Sequence, residues 1–208
     1  MISLDLKIDE SNWEPYLPEE IFELFKSLTI PWWIAGGWAI DLFLESKTRD
    51  HLDIDLQILR KDQIILQKFL VGWDLYKTNQ PGLKPWKKNE FLRLGVNSIW
   101  CRKTPEAPWK MQILFLETEG DEWYYRRKPS IRGLISNIGM KTKSNISYLS
   151  PEIQLLFKAQ KNPKQKNKQD FLNVLPFLDN KKLMWLKKSV FVHFGKNSYW
   201  IEEINKFL

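Results

Sequence analysis

The sequence of 208 residues contains little cysteine, little histidine and no long apolar run. Its single cysteine, Cys101, excludes an internal disulfide and a cysteine-based zinc site, and its two histidines are too few for a histidine metal cluster. No stretch approaches the roughly 18 apolar residues that a membrane span needs. The stretch from Met1 to Glu10 has no apolar core of the kind found in signal peptides. Together these absences predict a cytoplasmic protein without membrane contact.

Glycine and proline are also sparse, at 9 and 11 residues, which excludes a low-complexity chain and favours one domain or one domain with an appendage. Tryptophan, by contrast, occurs 11 times, and most of these large side chains are expected in the core. The net charge of +7 favours an anionic ligand such as a nucleotide or a nucleic acid. A solvated face of lysines would explain the excess charge equally well.

The spacing of apolar residues predicts an α+β first half and a helical second half. The polar stretch from Lys141 to Ser147 is the expected boundary, which gives one domain of residues 1–143 and a C-terminal helical lobe of residues 144–208. In the first half the patterns predict helices from Pro18, over Trp38 to Leu44 and over Asp62 to Leu70, and strands over Ile30 to Ala35, Leu52 to Leu59, Val96 to Arg102, Lys110 to Glu117 and Trp123 to Arg126. In the second half they predict helices from Pro151, from about Lys168 and over Lys181 to Val190.

Two adjacent glycines carry the first feature that points to chemistry. Gly36 and Gly37 stand between a predicted buried strand and a predicted helix. Small residues at such a position let a phosphate approach the free backbone N–H groups of a helix start. A glycine pair is more often an ordinary turn, so this feature indicates little by itself. Trp38, at the helix opening, is expected to line the nucleotide cleft.

A pair of aspartates is the second feature. Asp53 and Asp55 are two residues apart on an alternating strand, so both carboxylates should leave the same face. Acids this close repel each other unless a cation lies between them, and Mg²⁺ typically uses one or two protein carboxylates together with substrate phosphates. The alternative is the exposed polar face of an edge strand. Arg49 offers a cation beside the predicted phosphate site, and His51 is expected to position the loop.

The order of these features resembles the nucleotidyltransferase superfamily that includes DNA polymerase beta. The detail is similar to the aminoglycoside 2″-nucleotidyltransferase branch and its lincosamide-modifying relatives. The matching residues are Ala35-Gly36-Gly37-Trp38-Ala39-Ile40-Asp41 and Thr48-Arg49-Asp50-His51-Leu52-Asp53-Ile54-Asp55. Less specific similarity continues through Trp123 to Arg127 and Ser150 to Ala159, so the resemblance covers most of the chain.

The resemblance implies a fold and an activity. The fold is a nucleotidyltransferase-type mixed β-sheet with flanking helices, followed by a C-terminal helical lobe that closes the cleft. The activity is Mg²⁺-dependent transfer of a nucleoside monophosphate from a nucleoside triphosphate, here expected to be ATP, to a hydroxyl group of a small molecule such as an antibiotic. The implied catalytic and metal-binding residues are Asp53 and Asp55, and the implied nucleotide-binding residues are Gly36, Gly37, Trp38, Arg49, His51 and Lys158. Lys158 could equally be one more solvated lysine.

One position departs from the superfamily pattern. Active members usually carry a third carboxylate on a later strand facing the aspartate pair, and alignment by eye places Gln112 there. Glutamine cannot act as a base, and the nearest acid, Glu117, falls on the opposite face by alternation. Another acid or metal coordination could replace the missing group, or catalysis could be impaired.

Three functions therefore stay open from the sequence. The first is an enzyme that acts on a small hydroxylated molecule, and the second is a nucleotide-binding or regulatory protein of the same fold without turnover. The third is an RNA-directed nucleotidyltransferase, which the lysine-rich tract from Lys158 to Lys168 allows but no RNA-binding signature supports. The positive net charge disfavours a polycationic aminoglycoside and favours a neutral or weakly charged acceptor, or a polyanion.

Overall fold

The computed structural model describes residues 8–78 and 82–208. Most of the stretch from Met1 to Glu10, on which the expectation of no signal peptide rests, lies outside the described residues. Within the described ranges, every helix is too short or too polar to span a bilayer. The helices are α1 (Pro18–Phe25), α2 (Gly36–Leu44), α3 (Gln63–Phe69), α4 (Pro151–Lys158), α5 (Gln165–Val174), α6 (Asn180–Phe194) and α7 (Tyr199–Asn205). The strands are β1 (Trp32–Ala35), β2 (Asp55–Leu59), β3 (Asp74–Thr78), β4 (Leu83–Pro85), β5 (Ser98–Arg102), β6 (Met111–Glu119), β7 (Glu122–Tyr124), β8 (Arg132–Leu134), β9 (Gly139–Lys141) and β10 (Ser147–Leu149).

The strands form one mixed sheet, which confirms the predicted fold class. The order across the sheet is β4-β3-β5-β6-β2-β1-β10-β9, and β7 and β8 extend it from β6. The pairs β2–β6 and β1–β10 are parallel, and the other pairs are antiparallel. The three strands predicted between Val96 and Arg126 form a meander, because β5, β6 and β7 pair in succession.

The first strand and the second helix join without a loop. Ala35 ends β1, and Gly36 begins α2 with a φ of 68°, a left-handed conformation that glycine adopts without strain. The helix therefore begins two residues before Trp38, where the pattern predicted its start. The second strand is shorter than predicted, because it begins at Asp55 rather than at Leu52.

The polar stretch from Lys141 to Ser147 does not connect the two halves of the chain. It joins β9 to β10, which pair antiparallel, and β10 also pairs in parallel with β1. The boundary predicted between residues 143 and 144 therefore falls inside a hairpin of the sheet. A division that follows the secondary structure lies at Ser150, immediately before α4.

Two hydrophobic clusters form the core. One packs α1 and α3 against the sheet, through residues such as Phe25, Leu66 and Ile58. The other joins α4 to α7 with residues of the first half, among them Ile40 of α2 and Trp123 of β7. The helical half therefore shares its core with the first half.

A buried ion pair joins Arg60, the residue after β2, to Glu117 of β6. The Arg60 guanidinium donates to both carboxylate oxygens of Glu117, at 2.7 to 2.9 Å. Both side chains are less than a tenth exposed. Arg60 also donates to the carbonyl of Leu92 at 3.2 Å, so the pair fixes a loop as well as two strands.

Glu117→Gln is expected to lower the free energy of unfolding by about 3 kcal/mol, because it leaves the Arg60 charge buried without its partner. Glu119→Gln, two residues farther along the same strand, is the matched control. Glu119 pairs with Arg132 at the surface, so its loss should cost less than about 1 kcal/mol. Urea unfolding of the wild type and the two variants measures the difference. Equal losses of unfolding free energy in the two variants would contradict the stabilising role of the buried Arg60–Glu117 pair.

Candidate active site

A cleft of about 590 Å³ lies between the sheet and the helical half. Gly36, Asp55 and Gln112 line it from the sheet side, and Lys158 and Asn167 line it from α4 and α5. The predicted residues Gly36, Asp55 and Lys158 thus meet in one cleft, although more than 100 positions separate the first of them from the last.

Both glycines leave room for functional side chains. A Cβ atom on Gly36 would overlap the Asp55 carboxylate, and one on Gly37 would overlap the His51 ring and the Arg49 guanidinium. The pair is therefore more than an ordinary turn. The Gly36 N–H donates to the Gln154 side-chain oxygen at 2.9 Å, so a residue of α4 already contacts the start of α2.

The aspartate pair lies at the start of β2. Asp55 is half-buried and stands opposite Ala35 and Gln112 in the two adjacent ladders. Asp53 lies just before the strand and is exposed, whereas Ile54 between them is fully buried. The ladder continues past the strand, because the Gln112 N–H donates to the Ile54 carbonyl at 2.9 Å.

Burial raises the pKa of Asp55 to about 7, and the nearby charge of Asp53 contributes to this rise. Three cations, Lys158, Lys166 and Arg49, act in the opposite direction. Ionisation of Asp55 therefore costs free energy in the folded protein, and a cation in the cleft would lower that cost.

A buried carboxylate that sequence reasoning missed positions the loop before the aspartates. Asp41 of α2 accepts from the Thr48 N–H at 3.1 Å and from its hydroxyl at 2.6 Å, and its other oxygen lies 2.6 Å from His51 Nε2. This arrangement agrees with the expected positioning role of His51. Asp41 belongs to the quoted motif, but nothing in its spacing distinguished it from a solvated helix residue.

Trp38 is not where the sequence predicted. Its ring packs against that of His51, with centroids 4.6 Å apart, and it lines a separate depression behind α2 rather than the cleft that holds Asp55. The reason is the earlier helix start at Gly36, which turns the third residue of the helix away from the cleft. Gly37, Arg49, His51 and Asp53 also lie outside the lining of the cleft and border its aspartate end.

A second buried acid, Asp170 of α5, holds the two predicted phosphate-binding cations. Its carboxylate lies 2.7 Å from Lys158 Nζ and 3.3 to 3.4 Å from two nitrogens of Arg49. The Lys158 side chain is only 11% exposed, which excludes the alternative of a solvated lysine. Asp170 follows the lysine-rich tract and shares a buried helix face with Phe171 and Val174. An acid on an apolar face was the signal that could have found it.

Gln112 occupies the position that sequence alignment assigned to it. It is paired with Asp55 in parallel register, so the two side chains leave the same face of the sheet. Glu117 lies farther along β6, where Arg60 holds its carboxylate. Among the described residues, no group of three or more histidine, cysteine or acidic side chains could hold a metal ion.

Sequence comparison finds similarity to an adenylyltransferase family and to a lincosamide resistance protein. The family model for aminoglycoside-2″-adenylyltransferase matches residues 19–80, which contain both motifs. A lincosamide resistance protein of Staphylococcus haemolyticus is 27% identical over 81 residues, which are 38% of this chain. The match spans half of that relative's length.

Comparison with solved structures extends the similarity to most of the chain. Lincosamide antibiotic adenylyltransferase LnuA, solved with lincomycin, has a TM-score of 0.51 at 20% identity, covering 75% of this chain and 92% of its own. ANT(2″)-Ia, solved with adenylyl-2″-tobramycin, has a TM-score of 0.53 at 16% identity, covering 82% and 93%. The chain has the nucleotidyltransferase fold, and the resemblance of its motifs to the aminoglycoside and lincosamide branch is confirmed.

Gly36→Ala is expected to destabilise the protein more than Gly120→Ala. Both glycines have positive φ, at 68° and 57°, so each substitution to alanine introduces about 1–2 kcal/mol of backbone strain. A Cβ at Gly120 meets open space, whereas a Cβ at Gly36 meets the Asp55 carboxylate and should cost about 1–3 kcal/mol more. Urea unfolding measures both, and equal losses would mean that Asp55 moves aside freely.

Asp55→Asn is expected to stabilise the protein free of metal and nucleotide, and to do so in a pH-dependent way. The folded protein holds the Asp55 proton more tightly than the unfolded chain, whose carboxyl pKa is about 4. As pH rises from about 4 to about 7, the folded pKa, the free energy of unfolding of wild type therefore falls below that of the variant. Urea unfolding in the presence of a chelator, below and above this window, should show a growing difference, and a constant difference would contradict it.

Proposed function

We propose that this chain is a nucleotidyltransferase that moves a nucleoside monophosphate from a nucleoside triphosphate, ATP in our proposal, to a hydroxyl group of a small molecule of the antibiotic type. The observation that carries this proposal is the Asp55 carboxylate against the Gly36 backbone, in a cleft whose other wall presents cations. The single cysteine of the chain also leads us to propose a cytoplasmic location.

The charge of the cleft supports a polyanionic nucleotide. Its lining includes five basic side chains and two acidic ones. One acid, Glu117, is already paired with Arg60, which leaves Asp55 as the acid without an ion-pair partner among the described lining residues. Lys158 is paired with Asp170, so four basic side chains remain against one unpaired acid, and this excess of positive charge attracts triphosphate and repels polycations. The basic lining residues are Arg126, Arg127, Lys158, Lys164 and Lys166.

The aspartate pair fits a magnesium ion. Two carboxylates make a poor cage by themselves, and Mg²⁺ commonly binds to one or two carboxylates, with substrate phosphates and water completing its shell. Burial raises the pKa of Asp55 to about 7, so a cation in the cleft would stabilise its charged form, and Asp53 and Asp55 would hold the ion together with the triphosphate. When bound, the metal supplies positive charge that stabilises the attacking and leaving oxygens at phosphorus.

The other residues of the site bind and orient the nucleotide. Lys158, held by Asp170, presents its ammonium group to the cleft, where it would contact the β- and γ-phosphates. Arg49 and the opening of α2 would stabilise the same phosphates from the sheet side. The acceptor oxygen forms a bond to the α-phosphorus, pyrophosphate leaves, and the hydroxyl proton passes to a carboxylate of the pair or to water.

A second candidate function rests on Gln112. This glutamine stands beside Asp55 at the position where active members of the superfamily usually carry a third carboxylate. A protein that binds nucleotide but turns it over poorly would fit this substitution. Nucleotide binding with Mg²⁺ but without pyrophosphate release for any acceptor would favour this second function.

Asp53→Asn is expected to lower acceptor-dependent transfer by at least about a hundredfold, because it removes one of two carboxylates from a metal clamp that contributes several kcal/mol to transition-state stabilisation. Asparagine keeps the volume, so the folded structure should persist. Pyrophosphate release from Mg²⁺ and ATP, with a panel of antibiotics as acceptors, measures the effect. Asp121→Asn, in the exposed turn between β6 and β7, is the matched control and should keep wild-type activity.

If Asp53→Asn leaves a demonstrated transfer reaction unchanged, that result would contradict the proposed site. The aspartates would then be a polar strand end, and the similarity to the transferases would extend to the fold alone. Loss of activity in both variants would indicate a general charge effect rather than a metal clamp.

A further inference from the structure

Neutral carboxamides, rather than carboxylates, form much of the cleft floor that faces Asp55. Gln57 follows Asp55 by two residues on β2, and Gln112 and Leu114 stand opposite these residues on β6. The four side chains leave the same face of the sheet in two adjacent rows. Asp55 and Gln57 form the first row on β2, and Gln112 and Leu114 form the second row on β6. Asn97, just before β5, lies beside the second row, because its carbonyl accepts from the Phe115 N–H at 2.9 Å.

The amide of Gln112 donates to a network of hydroxyl groups. Its Nε2 donates to Ser98 Oγ at 2.9 Å, and Ser98 Oγ lies 2.5 Å from Thr78 Oγ1. Thr78 donates its hydroxyl proton to the Ser98 carbonyl at 3.1 Å, so the Ser98 hydroxyl donates to Thr78 and accepts from Gln112. The Gln112 carbonyl oxygen is therefore left to accept a hydrogen bond in the cleft.

Gln57 and Asn97 each have a side-chain carbonyl oxygen that no donor of the described residues reaches. Gln57 Nε2 donates to the Leu114 carbonyl at 3.0 Å, which leaves its Oε1 as the unused group. Asn97 Oδ1 is buried, and no donor of the described residues reaches it. A buried oxygen without a donor costs free energy, so a ligand that donates to it gains binding.

We propose that Gln57, Asn97 and Gln112 form the acceptor subsite, and that this subsite takes an uncharged, hydroxyl-rich ring. Hydroxyl groups of the ring donate to the three carbonyl oxygens, and an apolar face of the ring packs on the half-buried side chain of Leu114. The inference rests on the proposed function, because the subsite borders the carboxylate of Asp55.

The same lining selects against an amine-rich ring. An ammonium group must lose bound water to enter, which costs desolvation free energy. A neutral carbonyl offsets less of this desolvation free energy than a carboxylate does. The cations that line the cleft, among them Arg126, Lys164 and Lys166, add repulsion for each further positive charge. A hydroxyl group has no such cost, so selection follows from charge rather than from size.

A matched pair of sugars tests this selection without requiring turnover. Methyl glucoside and methyl glucosaminide share a ring and differ by one hydroxyl group replaced with an ammonium group. Ligand-observed NMR titration of the whole protein with each sugar measures affinity directly. Calorimetry with Mg²⁺ and ATP on the same sample tests the nucleotide site separately, so failure of the proposed function can be told apart from failure of the subsite.

Wild type is expected to bind the glucoside more tightly than the glucosaminide. Asn97→Asp places a carboxylate at the orphan oxygen and should shift the affinity ratio about tenfold toward the glucosaminide. Asn137→Asp adds the same charge at an exposed position outside the cleft and should leave the ratio unchanged. Gln112→Met, which keeps the length of the side chain without its carbonyl, should weaken the glucoside about tenfold.

Tighter binding of the glucosaminide by wild type, or a ratio that Asn97→Asp and Asn137→Asp shift equally, would overturn the subsite. If Asn97→Asp does not fold, Gln112→Met decides the question, and unchanged glucoside affinity in that variant would also overturn it. ATP binding that persists in either case would leave the proposed function standing.

Discussion

The site depends on one buried carboxylate, that of Asp170, which draws cations from both halves of the chain to one point. Arg49 precedes the second strand, and Lys158 ends the first helix of the helical half. A carboxylate that is 1% exposed cannot exchange such partners for water without a large loss, so the pairing fixes the loop and the helix together. The hydrogen bond of Gln154 with Gly36 also joins the two halves of the chain. This bond and the ion pairs of Asp170 together place α4 opposite Asp55.

The cleft combines a charged part around Asp55 with a neutral part that includes Gln112, Gln57 and Leu114. At the start of β2, Asp55 faces lysines, an arrangement suited to phosphate and a divalent cation. Two residues farther along, Gln57 and Leu114 offer carbonyl oxygen and apolar surface. Strand alternation brings both parts to the same face, so a donor and an acceptor could meet over neighbouring residues.

Local patterns in the sequence predicted the parts of this site that depend on short-range order. The glycine pair and the start of α4 follow from turn chemistry and capping, whereas the placement of Gln112 beside the aspartate pair came from the family resemblance. The pairing of β10 with β1 and the contact of Asp170 with Arg49 join residues more than 100 positions apart, and no local pattern encodes such contacts. Trp38 was misplaced because a shift of two residues in a helix start rotates every side chain that follows by more than half a turn.

The shared hydrophobic core of α2, β7 and the helices from α4 to α7 constrains how this protein can recombine with its structural neighbours. At identities of 16–20%, most aligned residues differ between this chain and those neighbours. A chimera joined at Ser150 would bring together two unmatched halves of one core, although Ser150 separates sheet from helices along the chain. An exchange that keeps α2 and β7 with their partners would carry the segments Gly36–Leu44 and Glu122–Tyr124 along with the helical half.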